Sequence, residues 1–447
     1  MASVYLDPEI ETLPRAALGK LQGEKLARQV ERVLRLSPFY RRKYAAAGIV
    51  SGLAIKHPED IRKFPILAKA ELREAQAAKP FFGDIATVPV GDFIETLSTT
   101  GTTGRPFHCV WTKNDLAYTH AVMRRTVWTM GIRPGDIVQN GFAYGLFVAG
   151  VNVHLACQQL GCLVVPIGAS NTERHLDYLT GLKSTILFAT PSFAMYLAER
   201  LKEAGIAPES LGLRIGCFGG EPGTAVPATR TKLEEGLGID ARDYYGLAEI
   251  CPGMSPECEA KDGIHFCEDH LIAEVLDPET KEPVAEGETG VLVVTDLSRE
   301  AMPLLRYWTN DLVRLSTERC ACGRTHARAP GGIVGRGDDR INLKGAKFYP
   351  TQVENAVRAL PDLAPEFRIV LDHDHARHSD TCTVRVELAP GKTAAGAALA
   401  ALIAGVEAKL KAETGSSLAV EIVPTGSLER AMTKSKRVVD NRKPHGR

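Results

Sequence analysis

Residues 185–220 read TILFATPSFAMYLAERLKEAGIAPESLGLRIGCFGG, and their pattern sets the fold class. A short apolar run over 185–188 meets Pro191 and Ser192, a helix-like stretch covers 192–204, and a second apolar run over 213–218 ends on Gly219 and Gly220. The same alternation continues upstream, with apolar runs at 137–138 and 163–165 and a helical pattern over 175–182. Short strands that are apolar throughout, separated by helices, predict βα units and a largely parallel sheet covered on both faces. Residues 270–315 differ: LIAEVLD, GVLVVTDL and LVRLS, parted by turn residues, predict a smaller antiparallel or barrel-like β subdomain. Ahead of the sheet, Leu26, Val30, Val33 and Leu34 fall at helical spacing and predict one amphipathic helix over 21–47.

Downstream, the polar, glycine-bearing stretch GRGDDR at 335–340 suits a hinge. Beyond it the patterns predict a helix over 351–359, strands over 367–372 and 381–388, a long helix over 393–414 and a strand over 419–423. The fold class expected is therefore α/β. A large N-terminal domain, residues 1–336, carries mostly parallel sheets plus the small β subdomain; a smaller α+β C-terminal domain, residues 337–447, follows.

A chain of 447 residues exceeds what one core usually holds, which agrees with two domains. Lys+Arg and Asp+Glu both count 54, so there is no bulk basic excess to draw in nucleic acid or an acidic membrane. Residues 147–167 are the most apolar long stretch, yet they hold Asn152, His154, Gln158 and Gln159, which argues for a buried helix and strand rather than a membrane span. The N-terminus MASVYLDPEIETLPR lacks the basic-then-apolar pattern of a signal peptide, and ten cysteines are scattered through the chain. Free thiols in a reducing cytoplasm are the expectation. The basic tail KSKRVVDNRKPHGR, from residue 434, is expected to be a solvated end or a polyanion contact.

The chemistry concentrates in Ser98-Thr99-Thr100-Gly101-Thr102-Thr103-Gly104-Arg105-Pro106, which follows a strand-like run at 93–97. Glycines let backbone N–H groups approach an anion, and five hydroxyls add donors, so the stretch predicts a phosphate-binding loop. It is not the GxxxxGK[ST] loop, because no Lys–Ser/Thr pair follows Gly104. Further along come Gly219-Gly220-Glu221-Pro222 after a strand, Asp243-Tyr244-Tyr245-Gly246-Leu247-Ala248-Glu249, Tyr307-Trp308-Thr309-Asn310-Asp311, Gly335-Arg336-Gly337-Asp338-Asp339, and Lys434.

In this order and spacing the segments resemble the adenylate-forming superfamily of acyl-CoA synthetases, luciferases and peptide-synthetase adenylation domains. Within it the text is most similar to phenylacetate–CoA ligases, through AYGLFVAG, GCLVVPIGASNTER, ATPSF, GGEP, DPET, AMPLLRY, CACGRTH and GRGDDRINLKGAKFYPTQVE. The resemblance runs from about residue 93 to the C-terminus. It implies an ATP-dependent carboxylate–CoA ligase that uses Mg²⁺ and forms an acyl-adenylate. The loop residues Ser98, Thr99, Thr100, Gly101, Thr102 and Thr103 would then bind phosphate. Gly219, Gly220, Glu221, Pro222, Asp243, Tyr244, Tyr245 and Gly246 would hold the nucleotide, Asp311 and Arg336 its ribose, and Glu249 the Mg²⁺. Lys434, on a mobile C-terminal domain that rotates about Asp338, would bridge the substrate carboxylate and the ribose-side oxygen. The acid pocket would draw on Tyr144, Phe147, Val148, Ala149 and Gly150, with Gly219, Tyr245 and Gly246. Partners implied are a small carboxylic acid, ATP and CoA, with relatives often homodimeric. An amine or a carrier-protein thiol is the alternative acyl acceptor, since the same motifs serve it.

Three departures from the family's pattern bear on function. Ala248 stands where a small hydroxyl residue is usual, Thr433 replaces the glycine before the catalytic lysine, and Val148-Ala149-Gly150 replaces Thr-Gly-Gly. Added methyl bulk in the pocket would favour an acid smaller than phenylacetate, such as a short branched or hydroxylated aliphatic one; a CH₂-sized group is worth about 1 kcal/mol. A metal is also implied. Cys320-Ala321-Cys322 lies in a tight turn, and Cys251, Cys258, His265, Cys267 and His270 lie upstream. The preferred quartet for a structural Zn²⁺ is Cys258, His265, Cys320 and Cys322, with core thiols as the alternative. Several members of the family carry such a CxCGR element with zinc. Cys109, Cys157, Cys162, Cys217 and Cys382 are expected to pack as small hydrophobes.

Overall fold

A computed structural model describes residues 3–49, 55–99, 106–169, 171–343, 346–374, 379–430 and 437–442. The runs that set the fold class are strands Ile186–Ala189 and Ile215–Phe218, and both are buried at every position. Helices on two sides make them so. Phe193, Leu197 and Leu201 of the helix Pro191–Glu203 pack with Leu187 and Phe218 on one face. Val127, Val153 and Ala156, from helices Lys113–Thr129 and Val148–Gln159, pack with Val138 and Phe188 on the other. The sheet runs Leu163–Val165, Ile137–Asn140, Ile186–Ala189, Ile215–Phe218, Asp240–Tyr245, Ser255–Pro256. Its first five strands are parallel and the last is antiparallel. Strand Ile137–Asn140 therefore has its next strand in sequence on one side and the one after that on the other. This reversal opens a crevice beyond the carboxyl ends of the strands, where ligands bind in open α/β sheets.

The small β subdomain is a four-stranded antiparallel sheet, Leu271–Leu276, Thr289–Asp296, Tyr307–Arg314 and Gly335–Arg336. Residues from Ile341 onward gather around a separate apolar cluster that includes Phe348, Val353, Phe367, Val384 and Leu410. Their sheet runs Ala419–Val423, Ser379–Leu388, Leu363–Asp374, Val438–Asp440, beside helices Pro350–Arg358 and Gly396–Thr414. Among the described residues, no helix is long and apolar enough to cross a membrane.

Two expectations are corrected. The helix expected over 21–47 is two helices, Arg15–Leu36 and Pro38–Ala46. Pro38 cannot continue the first helix and is suited to the first position of the second, where the Ser37 hydroxyl caps the Tyr40 N–H. The basic tail is not wholly solvated. Val438–Asp440 adds a parallel strand to Leu363–Asp374, and Arg437 is only 9% exposed in its ion pair with Glu366.

Candidate functional site

The crevice at the strand reversal collects the loops that follow each parallel strand. A hairpin of Glu95–Ser98 and His108–Trp111 stands beside it and is tied to it by Ser98 N–H, which donates to Leu146 O at 3.0 Å. Thr99 N–H donates to Phe107 O at 3.0 Å, closing the hairpin below the glycine-rich segment. Thr100, Gly101, Thr102 and Thr103 of that segment lie outside the described residues, as does Lys434. The two hydroxyls at the stem serve the hairpin. Ser98 Oγ lies 2.8 Å from His108 Nδ1, and Thr99 Oγ1 accepts from Phe107 N–H at 3.0 Å. Thr99 Oγ1, an acceptor in that bond, keeps its own hydrogen to donate.

Tyr245 ends its strand and turns toward the β subdomain, where its hydroxyl donates to Asp311 Oδ2 at 2.6 Å. Asp311 faces Arg336 across the antiparallel pair, and Arg336 Nη1 donates to the other oxygen, Oδ1, at 3.2 Å. Arg336 also grips Asp338 through two bonds of 2.9 Å. The carboxylate of Asp311 is thus fixed from two sides. Gly246 follows at a point where a Cβ would sit 2.1 Å from Pro252 O, so only glycine lets this turn close.

Strand alternation sends Tyr244 the other way. Its ring packs edge-on to Phe142 and Phe188 at 5.9 and 6.1 Å, beneath the site rather than lining it openly. Gly219, Gly220, Glu221 and Pro222 follow the strand Ile215–Phe218, and Glu221 Oε1 accepts from Ser192 N–H at 2.8 Å. Asp243 is buried, with its N–H on Glu257 Oε2 at 3.0 Å. Burial first, then the neighbouring Glu257 charge, push its carboxyl up to about 7 against the pull of Arg230. A carboxyl raised in the folded state binds its proton there more tightly than in the unfolded chain, so stability falls as pH rises from about 4 to about 7. Relative to wild type, Asp243→Asn is expected to gain stability across that window and to hold the gain above it, by on the order of 4 kcal/mol. Thermal unfolding of both proteins from pH 4 to 9 checks the sign.

Glu249 is buried and ionically paired. Lys69 Nζ lies 2.7 Å from Glu249 Oε1, and Tyr307 O–H donates to the same oxygen at 2.9 Å. Lys69 opens the helix Lys69–Ala78, and its position is set by Leu67, which bonds Arg306 O and Trp308 N–H at 2.9 Å each. Behind Glu249, Arg299 is 1% exposed, donates to the carbonyls of Glu249 and Val110, and lies 4.5 Å over the Trp111 ring. Neither Lys69 nor Arg299 is marked by the sequence, since each is a single charge with no motif around it.

The loop after Ile137–Asn140 holds the residues expected to line an acid pocket. Tyr144 Oη accepts from Asn140 Nδ2 at 2.9 Å and lies 3.1 Å from His154 Nδ1; burial pushes its phenol up to about 12. Phe147 is exposed, whereas Val148 and Ala149 are half-buried and also touch apolar clusters. Gly150 is a packing glycine, because a Cβ there would lie 2.4 Å from Ala143 O.

The preferred thiol–imidazole quartet is brought together. The ligand atoms of Cys258, His265, Cys320 and Cys322 lie within 4.8 Å of one another and are nearly all buried. Cys258 Sγ and Cys320 Sγ are 3.8 Å apart, and Cys322 Sγ is 3.7 Å from His265 Nε2. Sulfurs bonded to one tetrahedral zinc at ~2.3 Å would be ~3.8 Å apart, so the spacing fits that ion and excludes a disulfide. Cys109, Cys157, Cys162, Cys217 and Cys382 are buried and unpaired.

Comparison with known proteins gives the following. Residues 67–298 match the AMP-binding enzyme family model, and residues 345–442 match the AMP-binding enzyme C-terminal domain. The chain is 39% identical over 450 residues to a phenylacetate-coenzyme A ligase of Thermus thermophilus, covering 98% of this chain and 99% of that one. It resembles 2-hydroxyisobutyryl-CoA ligase in the post-adenylation state with 2-HIB-AMP, at TM-score 0.92 and 31% identity, over 98% of this chain and 93% of that one. Against the same ligase with 2-HIB-AMP and CoA in the thioesterification state, the TM-score is 0.73 at 32% identity, over 98% and 92% of the two chains.

Proposed function

The chain belongs to the AMP-binding enzyme family, in its phenylacetate–coenzyme A ligase group, and from that premise we propose the reaction it runs. It is an ATP-dependent acid–CoA ligase. A carboxylate oxygen attacks the α-phosphorus of ATP, the bond to pyrophosphate breaks, and an acyl-adenylate forms. The CoA sulfur then attacks the acyl carbonyl and AMP leaves. The observation that carries this assignment is Asp311, a buried carboxylate oriented by Tyr245 and Arg336 at the mouth of the crevice. It suits a ribose diol, whose two hydroxyls it would accept. Stem and loop donors at 98–103, with Gly219 to Pro222, would surround the phosphates, and Tyr245 and Gly246 the base. Glu249 would hold a Mg²⁺, since a single buried carboxylate plus substrate phosphates is a common way to bind it. Bound there, the ion would neutralise charge on phosphate oxygens. Lys69, already beside Glu249, adds a second positive group to that corner.

Residues 1–336 act as the large domain and 337–447 as the smaller one, joined at Asp338. Support comes from the separate apolar cluster beyond Ile341 and from the Arg336–Asp338 bonds at the junction. The smaller domain carries Lys434, which would neutralise charge between the acid and the nucleotide. The Cys258, His265, Cys320 and Cys322 quartet is assigned a structural zinc, on the strength of its spacing. The acid is either an arylacetate or a short branched, hydroxylated one, and the two classes correspond to the two relatives above.

The test is acid-dependent AMP formation from ATP and Mg²⁺, with and without CoA, across arylacetates, benzoates and short hydroxylated aliphatic acids. Turnover requiring both acid and CoA is the expected result, and its ranking names the acid class. Acid-dependent AMP release indifferent to CoA would replace the CoA step by transfer to an amine or a carrier thiol.

A further inference from the structure

Two arginines flank the segment that carries Lys434, Arg430 four residues before it and Arg437 three residues after it. Each joins the C-terminal fold to the large domain. Arg437 Nη2 donates to Ser192 Oγ at 2.9 Å, while its Nη1 pairs with Glu366 and its guanidinium lies 4.8 Å over the Phe367 ring. Arg430 Nε donates to Glu199 Oε2 at 3.4 Å, and its Nη2 lies 2.9 Å from Glu387, whose side chain is fully buried. Ser192 and Glu199 both belong to the helix Pro191–Glu203. Seven residues apart, they stand on one face of it, two turns from each other. The near grip, Ser192, is at the crevice itself, its N–H bonded to Glu221.

The partners on the C-terminal side are buried acids of its own sheet, so the arginines travel with that domain. The partners on the large-domain side are the separable ones. Arg430 and Arg437 therefore tie the C-terminal fold to one face of this helix at two points. The chain matches 2-hydroxyisobutyryl-CoA ligase at TM-score 0.92 in the post-adenylation state and 0.73 in the thioesterification state, at nearly equal identity and coverage. The interdomain bonds described here accordingly go with the first arrangement.

We infer that Arg430 and Arg437 form a two-point latch on the helix Pro191–Glu203, which holds the C-terminal fold against the large domain for adenylation and opens before the thiol step. The inference rests on the ligase assignment above. Both are positioning residues, acting through the domain arrangement they hold.

The test separates the half-reactions in the full chain. Acid-dependent ATP–pyrophosphate exchange reports the first, and thioester formation from supplied acyl-adenylate and CoA reports the second. Arg437→Gln and Arg430→Gln are each expected to lower exchange roughly tenfold, as loss of a charged hydrogen bond does, and the pair further, while thioester formation changes far less. Arg437→Lys should recover part of the loss. Because glutamine also takes an arginine charge away from buried Glu366 or Glu387, Ser192→Ala and Glu199→Gln remove only the large-domain ends, and they should reproduce the exchange defect with an unchanged unfolding temperature. Wild-type exchange in the Ser192→Ala, Glu199→Gln double variant, or equal loss in both half-reactions, overturns the latch alone. A wild type that exchanges with no acid overturns the ligase assignment and the latch with it.

Discussion

Lys434→Ala is expected to lower acid-dependent pyrophosphate exchange by a factor of about a hundred or more, and Lys436→Ala to leave it within about threefold. The two lysines are two residues apart in one basic segment, so composition does not separate them. The role proposed for Lys434 comes from its resemblance to the superfamily's order of motifs. The magnitude follows from what the residue must do. In adenylation, negative charge from the acid meets negative charge on the α-phosphate, and a fixed cation between them is needed in the transition state more than in the ground state. One preorganised donor in a water-poor site is worth about 10²–10³ in rate. An ammonium delivers this as a point charge with three donors, which is why Lys434→Arg should also fail to restore full activity. Measuring exchange for the two alanine variants checks the assignment. If Lys436→Ala carries the loss instead, the chain uses the other lysine, and the substitution of Thr433 for the family's glycine shifts the active position by two.

How much of this molecule the sequence discloses depends on whether a residue's neighbours in sequence are also its neighbours in space. The parallel core is legible because strands such as Ile215–Phe218 are apolar at every position, which only two-sided burial explains. The strand Ala419–Val423 falls on the residues expected, and the helix Pro350–Arg358 lies within one residue of its expected span. The strand Leu363–Asp374 begins before the expected residue 367. Pro365 hides its first part, since proline lacks the N–H that a ladder uses, and the register shifts there between Leu363 and Phe367. The break at Ser37–Pro38 was visible in principle, because a serine followed by a proline is a helix start.

Single charges are the opposite case. Tyr245, Asp311, Arg336 and Glu249 are legible through motifs, and all but Glu249 meet in one cluster. Lys69 and Arg437 carry no motif; each looks solvated until the fold brings a buried acid, Glu249 or Glu366, to it. Pairing across 180 residues for Lys69 is a property of topology and leaves no local trace. The same holds for the second grip of the latch, where Arg430 finds Glu199 from the far end of the chain.

Stripping metal from the Cys258, His265, Cys320 and Cys322 site is expected to loosen the N-terminus as well as the site. The turn that carries two of the thiols is also the anchor of the first residues. Tyr5 O–H donates to Cys322 O at 2.8 Å, Arg324 pairs with Glu11 with both side chains at most 4% exposed, and Thr325 N–H donates to Glu11 O at 3.1 Å. His326 Nε2 lies 3.0 Å from Ile10 O, so the anchoring runs on past the turn. With zinc bound, four ligands fix the turn; without it, three thiols and an imidazole close together gain nothing from that spacing and the turn is free to relax. Glu11 and Arg324 then face separation in a buried place, where breaking a pair costs about 3–5 kcal/mol. Chelator-treated protein, or the Cys258→Ala, Cys320→Ala variant, should therefore unfold several degrees lower and be cut by protease within residues 3–14 before anywhere else. Restored zinc at one equivalent should reverse both effects in the wild type and neither in the variant. If protein as isolated binds well under one equivalent, and the chelator changes neither unfolding nor the first cleavage, then the four residues are packed thiols and an imidazole. In that case the N-terminal anchor does not depend on a metal, and Glu11→Gln, which breaks its buried ion pair, would become the change that loosens it most.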